Sequence, residues 1–464
     1  MGTTRKYWKG IEELNETPEF LQSRDQEFPQ SMSVDEFLAD ENLKETSTAR
    51  RDFLKFLGFS VAAATVAACE APVTKAIPYV IKPENVTPGM PTWYASTYYD
   101  GVSYASILVK TREGRPIFIK GNRDYGFTKG SVNPQIVGSV LPLYDSARLQ
   151  NPTVAGVQKS DWKESIDKPI KSQLAQIIAR KGKVVLLSNT IISPVTLTAI
   201  DALKARVNGG VAEATNFEHI QYDSVSYAGI RKANEATFGL PVIPDYDFSK
   251  AKTIVSIGAD FLGSWLVSNE YQVQYGSRRN PDNDWMSKHF QFESNLSITG
   301  SNADYRAMIK PSQQASVLAY LLGKFGVNTG ISANLDKAAT AIANEAYTSL
   351  KKSKGESLVV VSSNNKAVQI LANKLNSILG AYTYTINLNN PVNMFASQDD
   401  KLNMFVNNVI AGKGPDAVIF LGVNPVYTLA NGDAFAKGLK NIALTVSTAA
   451  YADETASICK YVAP

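Results

Sequence analysis

Two adjacent arginines, an apolar run and a cysteine make the most chemically specific pattern in this chain. Arg50, Arg51, Phe53, Leu54 and Lys55 open it, 13 apolar or small residues from Phe56 to Ala68 continue it, and Ala67-Ala68-Cys69 close it. A secretory segment needs a charged start, an apolar middle and small residues at the cut. A membrane span needs roughly 20 apolar residues, and this run is shorter. A buried helix needs neither paired arginines nor a cysteine directly after Ala-Ala. The pattern resembles a twin-arginine export signal joined to a lipoprotein processing site. It predicts export in the folded state, cleavage before Cys69, acylation of the Cys69 thiol and anchoring at the periplasmic face of the inner membrane. One departure is that the signal follows a long polar leader instead of starting near Met1.

Few other side chains have the types or spacing for chemistry. The sequence holds two cysteines and two histidines. With Cys69 committed to lipid, Cys459 has no partner for an intramolecular disulfide. It cannot by itself hold an iron–sulfur cluster, which usually takes four thiolates. His219 and His289 lack metal-ligand spacing, and no Ser-His-Asp constellation is readable. A net charge of +4 over 464 residues, with no dense Lys/Arg block, gives no electrostatic footprint for nucleic acid.

The elements that would position any site follow from apolar periodicity. Residues 1–48 read as a polar leader, with a short amphipathic helix possible at Tyr7-Trp8-Lys9-Gly10. Residues 49–69 carry the signal, and 70–92, rich in proline, read as an extended linker. Residues 93–160 read as a small β-rich region with a hairpin turning at Glu113-Gly114. From Lys183 onward, continuous apolar runs alternate with helical patterns. The runs are 184–187, 253–258, 358–361, 417–422 and 442–446; the helical patterns include 197–207 and 367–379. That alternation predicts α/β architecture with doubly wound parallel sheets, divided into domains at 161–330 and 331–464. Ligands in such sheets sit beyond the carboxyl ends of the strands. Three turns qualify: Ser188-Asn189-Thr190, Gly258-Ala259-Asp260 and Gly422-Val423-Asn424-Pro425. None is a nucleotide fingerprint.

Several phrases carry a family resemblance. They are Phe292-Glu293-Ser294-Asn295-Leu296-Ser297-Ile298-Thr299-Gly300-Ser301-Asn302-Ala303-Asp304, Gly258-Ala259-Asp260-Phe261-Leu262-Gly263-Ser264-Trp265, Gly422-Val423-Asn424-Pro425-Val426-Tyr427 and Asp453-Glu454-Thr455-Ala456. With the Tyr7-Trp8-Lys9-Gly10 leader, the chain resembles the B subunit of bacterial alternative complex III, a molybdopterin-oxidoreductase-like and iron–sulfur subunit of a quinol-oxidising assembly. The resemblance implies the molybdopterin-oxidoreductase large-subunit fold and no molybdenum cofactor. It implies iron–sulfur clusters in a C-terminal module beyond Pro464, so that 331–464 is expected to be incomplete at its C-terminal end. It also implies partners: a multihaem cytochrome c subunit and integral-membrane quinol-binding subunits. Wider relatives place a C-x2-C-x3-C cluster motif near the first hairpin, and the resemblance puts Ser96, Tyr99 and Ser103 there. The function expected is a non-catalytic scaffold passing no electrons through its own residues. A genuine molybdopterin-dependent oxidoreductase fragment and an exported α/β ligand-binding lipoprotein remain open alternatives.

Overall fold

Short apolar runs become strands because β-branched and aromatic side chains pack well on a pleated surface, and runs buried on both faces read as continuously apolar. The computed structural model describes residues 87, 89–211 and 213–464. Arg50, Arg51, Phe53, Leu54, Lys55 and Cys69 lie outside the described residues, as do the leader and most of the linker.

The first elements are β1 (Thr92–Tyr99), β2 (Tyr104–Arg112) and β3 (Arg115–Gly121). They form an antiparallel sheet in that order. Glu113 and Gly114 turn between β2 and β3 with positive φ values of 51° and 79°. Ala105, Ile107, Ile119 and Ile136 form its small core.

Two further two-residue strands, β4 (Thr153–Val154) and β5 (Val157–Gln158), precede the first apolar strand, β6 (Val184–Ser188). The helix Pro194–Val207 follows, opened by Pro194 and capped by the Ser193 side chain, which accepts from Thr196 N. Next come β7 (Phe217–Gln221), β8 (Asp245–Tyr246), β9 (Thr253–Ile257), β10 (Lys288–Glu293) and β11 (Tyr305–Met308). The chain continues through β12 (Ser357–Val361), β13 (Ile386–Asn387), β14 (Ala417–Leu421), β15 (Leu444–Ser447) and β16 (Tyr461–Val462).

Two larger sheets result. One is four-stranded and wholly parallel, in the order β11-β10-β9-β12. The other is seven-stranded, in the order β5-β4-β16-β15-β14-β6-β7. Its strands β16 to β7 are parallel, and β4 and β5 are antiparallel additions at the edge. Apolar side chains leave both faces of the four-stranded sheet. Ile254 and Leu358 enter one cluster with Phe248, Phe261 and Tyr271, and Val255, Phe290 and Val359 enter another with Leu318 and Leu375.

The expected division into 161–330 and 331–464 is corrected by the strand pairing. β6 pairs with β14, whereas β9 pairs with β12. The four-stranded sheet is therefore nested between the two parts of the seven-stranded one. A parallel strand takes its neighbour from side-chain packing and crossover geometry, not from sequence proximity, so a single cut could not separate them. In the two larger sheets, β7, β10 and β11, and the two-residue strands β4, β5 and β16, are not marked by an apolar run of the sequence. In β10, Lys-His-Phe-Gln-Phe-Glu, all residues after the first are buried. Polar residues that alternate along a strand ordinarily mark a solvated face. The polar side chains are buried against one another instead.

Candidate functional site

The carboxyl ends of the two parallel sheets hold the residues expected to bind ligands, and both are built on one local plan. After β9, Gly258 turns the chain with φ +69°, and after β14, Gly422 does so with φ +67°. Two residues after each glycine stands an Asx side chain. Asp260 Oδ1 accepts from Thr299 N at 3.1 Å and from Thr299 Oγ1 at 2.7 Å. Asn424 Oδ1 accepts from Thr455 N at 3.1 Å and from Thr455 Oγ1 at 2.7 Å. Each threonine hydroxyl then accepts from the backbone two residues beyond the Asx, from Leu262 N at 2.9 Å and from Val426 N at 3.1 Å. Each threonine also lies two residues after a capping side chain: Ser297 Oγ accepts from Gly300 N at 2.9 Å, and Asp453 Oδ1 from Ala456 N at 2.7 Å. The four sequence phrases are thus two halves of two brackets. The sequence showed the halves, and the fold brings them together.

These brackets occupy one side-chain acceptor at each strand end, Asp260 Oδ1 and Asn424 Oδ1. Around Asp260 lies a cleft of about 290 Å³ that also includes Glu293, Ser297, Gln314 and Ser362. A side chain at Gly258 would come within 2.6 Å of Gln314 Nε2 and of Ser362 Oγ, so the space beside this turn is filled. Burial alone would raise the Glu293 carboxyl, but Arg306 Nε at 2.6 Å and the Ser297 hydroxyl at 2.6 Å hold it below its ordinary value. Around Asn424 lies a cleft of about 180 Å³ with Asp100, Asn189 and Asp223. The third expected turn meets it here: Thr190 N and Oγ1 donate to the two oxygens of Asp223 at 2.9 and 2.7 Å. Neither cleft fits a phosphate group well, because carboxylates line each one, and beside Gly258 the close backbone approach that glycine permits is also taken by side chains.

A cluster does not fit the first sheet either. Ser96 is exposed on β1, opposite Ile107. Tyr99 Oη donates to Thr190 O at 2.9 Å, and burial pushes its phenol well above the ordinary range. Ser103 Oγ accepts from Asn133 Nδ2 at 3.0 Å. These three side chains offer oxygen atoms and not the thiolates that a cluster usually takes, and two of them are bonded within the fold. Among the described residues, no group of three or more His, Cys, Asp or Glu is placed to hold a metal. Cys459 is 3% exposed within an apolar cluster, and burial pushes its thiol up to about 12. A thiol so disfavoured as thiolate is a poor ligand and a poor nucleophile.

Both histidines have partners. His219 Nε2 lies 2.7 Å from Ser188 Oγ, a contact the sequence reading did not foresee. Ser188 is fully buried, and its hydroxyl donates to Asn189 O at 2.7 Å. With that proton spent, the ring donates to the serine, the reverse of a general base. His289 begins a buried ladder along one side of β10. Its Nε2 meets Gln291 Oε1 at 3.3 Å, and Gln291 Nε2 donates to Glu293 Oε2 at 3.1 Å. Burial pushes His289 down to about 4, so it is neutral at neutral pH.

Sequence reasoning also missed a cavity of about 380 Å³ between Tyr104, Phe127, Val267 and Met394, into which Asp245 and Glu270 bring carboxyl groups. Burial, with the charges of Asp245 and Asp247, raises Glu270 to about 8. Two carboxyls 25 residues apart in sequence carry no joint signal.

No family model matches the chain. It is similar to the menaquinone reductase, molybdopterin-binding-like subunit of Nitratidesulfovibrio vulgaris (strain Hildenborough), with 24% identity over 394 residues. That match covers 77% of this chain and 56% of the relative, so the chain spans just over half the length of the curated relative it matches. Among solved structures it is similar to acetylene hydratase from Pelobacter acetylenicus, with 13% identity and a TM-score of 0.47, over 80% of this chain and 60% of that one. The fold described above, mixed α/β with parallel sheets, rests on the strand pairing.

Proposed function

We propose that this chain is the molybdopterin-oxidoreductase-like, non-catalytic scaffold part of a membrane quinol oxidoreductase of the alternative complex III kind. Its sheets are of the doubly wound large-subunit type, and it holds neither pterin nor cluster itself. The relative's name, a molybdopterin-binding-like subunit of a menaquinone reductase, supports the class. The observation that carries the scaffold reading is the pair of brackets: Asp260 and Asn424, at the strand ends where a ligand would lie, are bonded to Thr299 and Thr455 of the same chain. Electrons from quinol pass through iron–sulfur clusters outside residues 94–464 and on to a multihaem cytochrome c subunit, with integral-membrane subunits binding the quinol. Export by the twin-arginine route and a lipid on Cys69 hold the assembly at the periplasmic face of the inner membrane.

Metal analysis of the purified complex tests this reading. Iron without molybdenum is expected, and stoichiometric molybdenum would show a working pterin enzyme. Mass spectrometry of the native protein tests the anchor: an unmodified Cys69 with residues 1–68 still attached removes it.

A further inference from the structure

The three-stranded sheet has one open half-face whose chemistry nothing else in the described residues uses. Side chains of β1, β2 and β3 alternate between two faces. The register sets Trp93 beside Lys110 and Phe118, and Ala95 beside Leu108 and Lys120, all on one face. At the far end of that same face, Tyr99 and Tyr104 pack against the core around Phe248 and Tyr271. One end is thus clamped to the body while the Trp93 end stands free. There Trp93 is 38% and Phe118 44% exposed, and their rings meet edge-on at 6.5 Å between centroids.

The charge of this sheet is one-signed. Its strands carry Lys110, Arg112, Arg115 and Lys120 and no aspartate or glutamate. Asp100, directly after β1, and Glu113, in the turn between β2 and β3, are the nearest carboxylates in sequence. Among the described residues, every ion pair lies between Glu164 and Asp416, and none involves this sheet. Lys120 Nζ sits 4.2 Å and Lys110 Nζ 5.8 Å from the centre of the Trp93 ring instead. The face therefore presents an amphipathic indole, a phenyl ring and two ammonium groups that lack a carboxylate partner among the described residues.

We propose that this half-face rests on an anionic lipid surface. Charge complementarity selects an anionic partner, since juxtamembrane lysines are drawn to acidic headgroups. The indole narrows that to a bilayer, because tryptophan settles at headgroup depth, where one part of the ring is apolar and the other wet. Position in the chain agrees. Thr92 follows Cys69 by 23 positions, so this sheet is the described element nearest the expected anchor. The inference goes beyond the scaffold reading and does not require it.

The test uses the full chain carrying Cys69→Ser, so that acylation plays no part, and vesicles of phosphatidylcholine with or without about one-third phosphatidylglycerol. Each lysine near an anionic surface is worth roughly fivefold in binding. Lys110→Gln/Lys120→Gln should therefore weaken partition into the anionic vesicles by roughly 25-fold, with unchanged circular dichroism. Both proteins share residues 1–91, so the difference between them reports the sheet. Brominated lipids should also quench the part of the fluorescence that Trp93→Phe removes. Unquenched Trp93 emission on bound vesicles, or equal partition of the two proteins, would overturn the proposal. Binding of this face to polyglutamate in place of vesicles would assign it to an acidic protein and overturn it equally.

Discussion

The two strand-end brackets share backbone, spacing and hydrogen-bond pattern, yet one is built on a carboxylate and the other on an amide. Asp260 can only accept, and its Oδ2 lies 3.5 Å from Ser264 Oγ. Asn424 also donates, through Nδ2 to Glu454 Oε2 at 2.6 Å. The surroundings differ as well. At Gly258 the missing side chain leaves room that Gln314 and Ser362 have taken, whereas at Gly422 the nearest atom, Asn189 Oδ1, stands 3.4 Å off. The four-stranded sheet thus ends in a packed bracket whose Asx–Thr bond is charge-assisted, and the seven-stranded sheet in a looser one whose Asx–Thr bond joins an amide and a hydroxyl. One local design supports two packing densities because the Asx–Thr pair is self-sufficient in its hydrogen bonds.

The sharpest way to break this comparison is at the glycines. Both sit in the left-handed region, where a side chain costs about 1–2 kcal/mol. Gly422→Ala should cost about that much. Gly258→Ala must also displace Gln314 and Ser362, and should cost about 3 kcal/mol in all. Urea midpoints of the two variants check the order, and equal losses would mean that the packing difference has no energetic content. The threonines come next. Thr299→Val removes a hydroxyl bonded to a carboxylate, at about 2 kcal/mol, and Thr455→Val one bonded to an amide, at about 1 kcal/mol.

A smaller difference should appear in pH dependence. The folded state holds His289, beside the first bracket, at about 4, below its ordinary 6.5. The unfolded chain therefore binds a proton first as pH falls, and the stability associated with neutral His289 is complete above about 6.5. It drains away as pH drops toward 4. His289→Gln should flatten the stability profile across that window in denaturation series at stepped pH. The least effect is expected from Asn424→Asp, which sets a second carboxylate against Glu454. Its midpoint should drop slightly at neutral pH and recover as the medium is acidified. No recovery would mean that the lost amide donor, not charge, is responsible.

How far the sequence could be read depends on which interactions write themselves locally. Val184–Ser188, Thr253–Ile257, Ser357–Val361 and Ala417–Leu421 were legible because burial on both faces leaves an unbroken apolar run. Lys288–Glu293 was not, since His289, Gln291 and Glu293 satisfy each other only after folding. The bracket halves were recognisable as phrases. Their pairing was hidden, because Asp260 finds Thr299 across 39 residues and Asn424 finds Thr455 across 31. The nested order of the sheets left no trace at all. Apolar strands look alike, and nothing in Val184–Ser188 names Ala417–Leu421 as its neighbour.

That nesting sets a timetable for synthesis. β6 emerges with β7 soon behind it, but its other neighbour, β14, begins at Ala417, 233 residues after Val184. At about 5–20 residues per second, β14 appears roughly 10–50 s later. Throughout that interval the entire four-stranded sheet can be made and closed, while one edge of Val-Val-Leu-Leu-Ser waits unpaired. An apolar edge of this kind is a template for pairing with the wrong chain. The nascent protein is therefore most vulnerable to misassembly between completion of its inner sheet and arrival of the strand that seals its outer one.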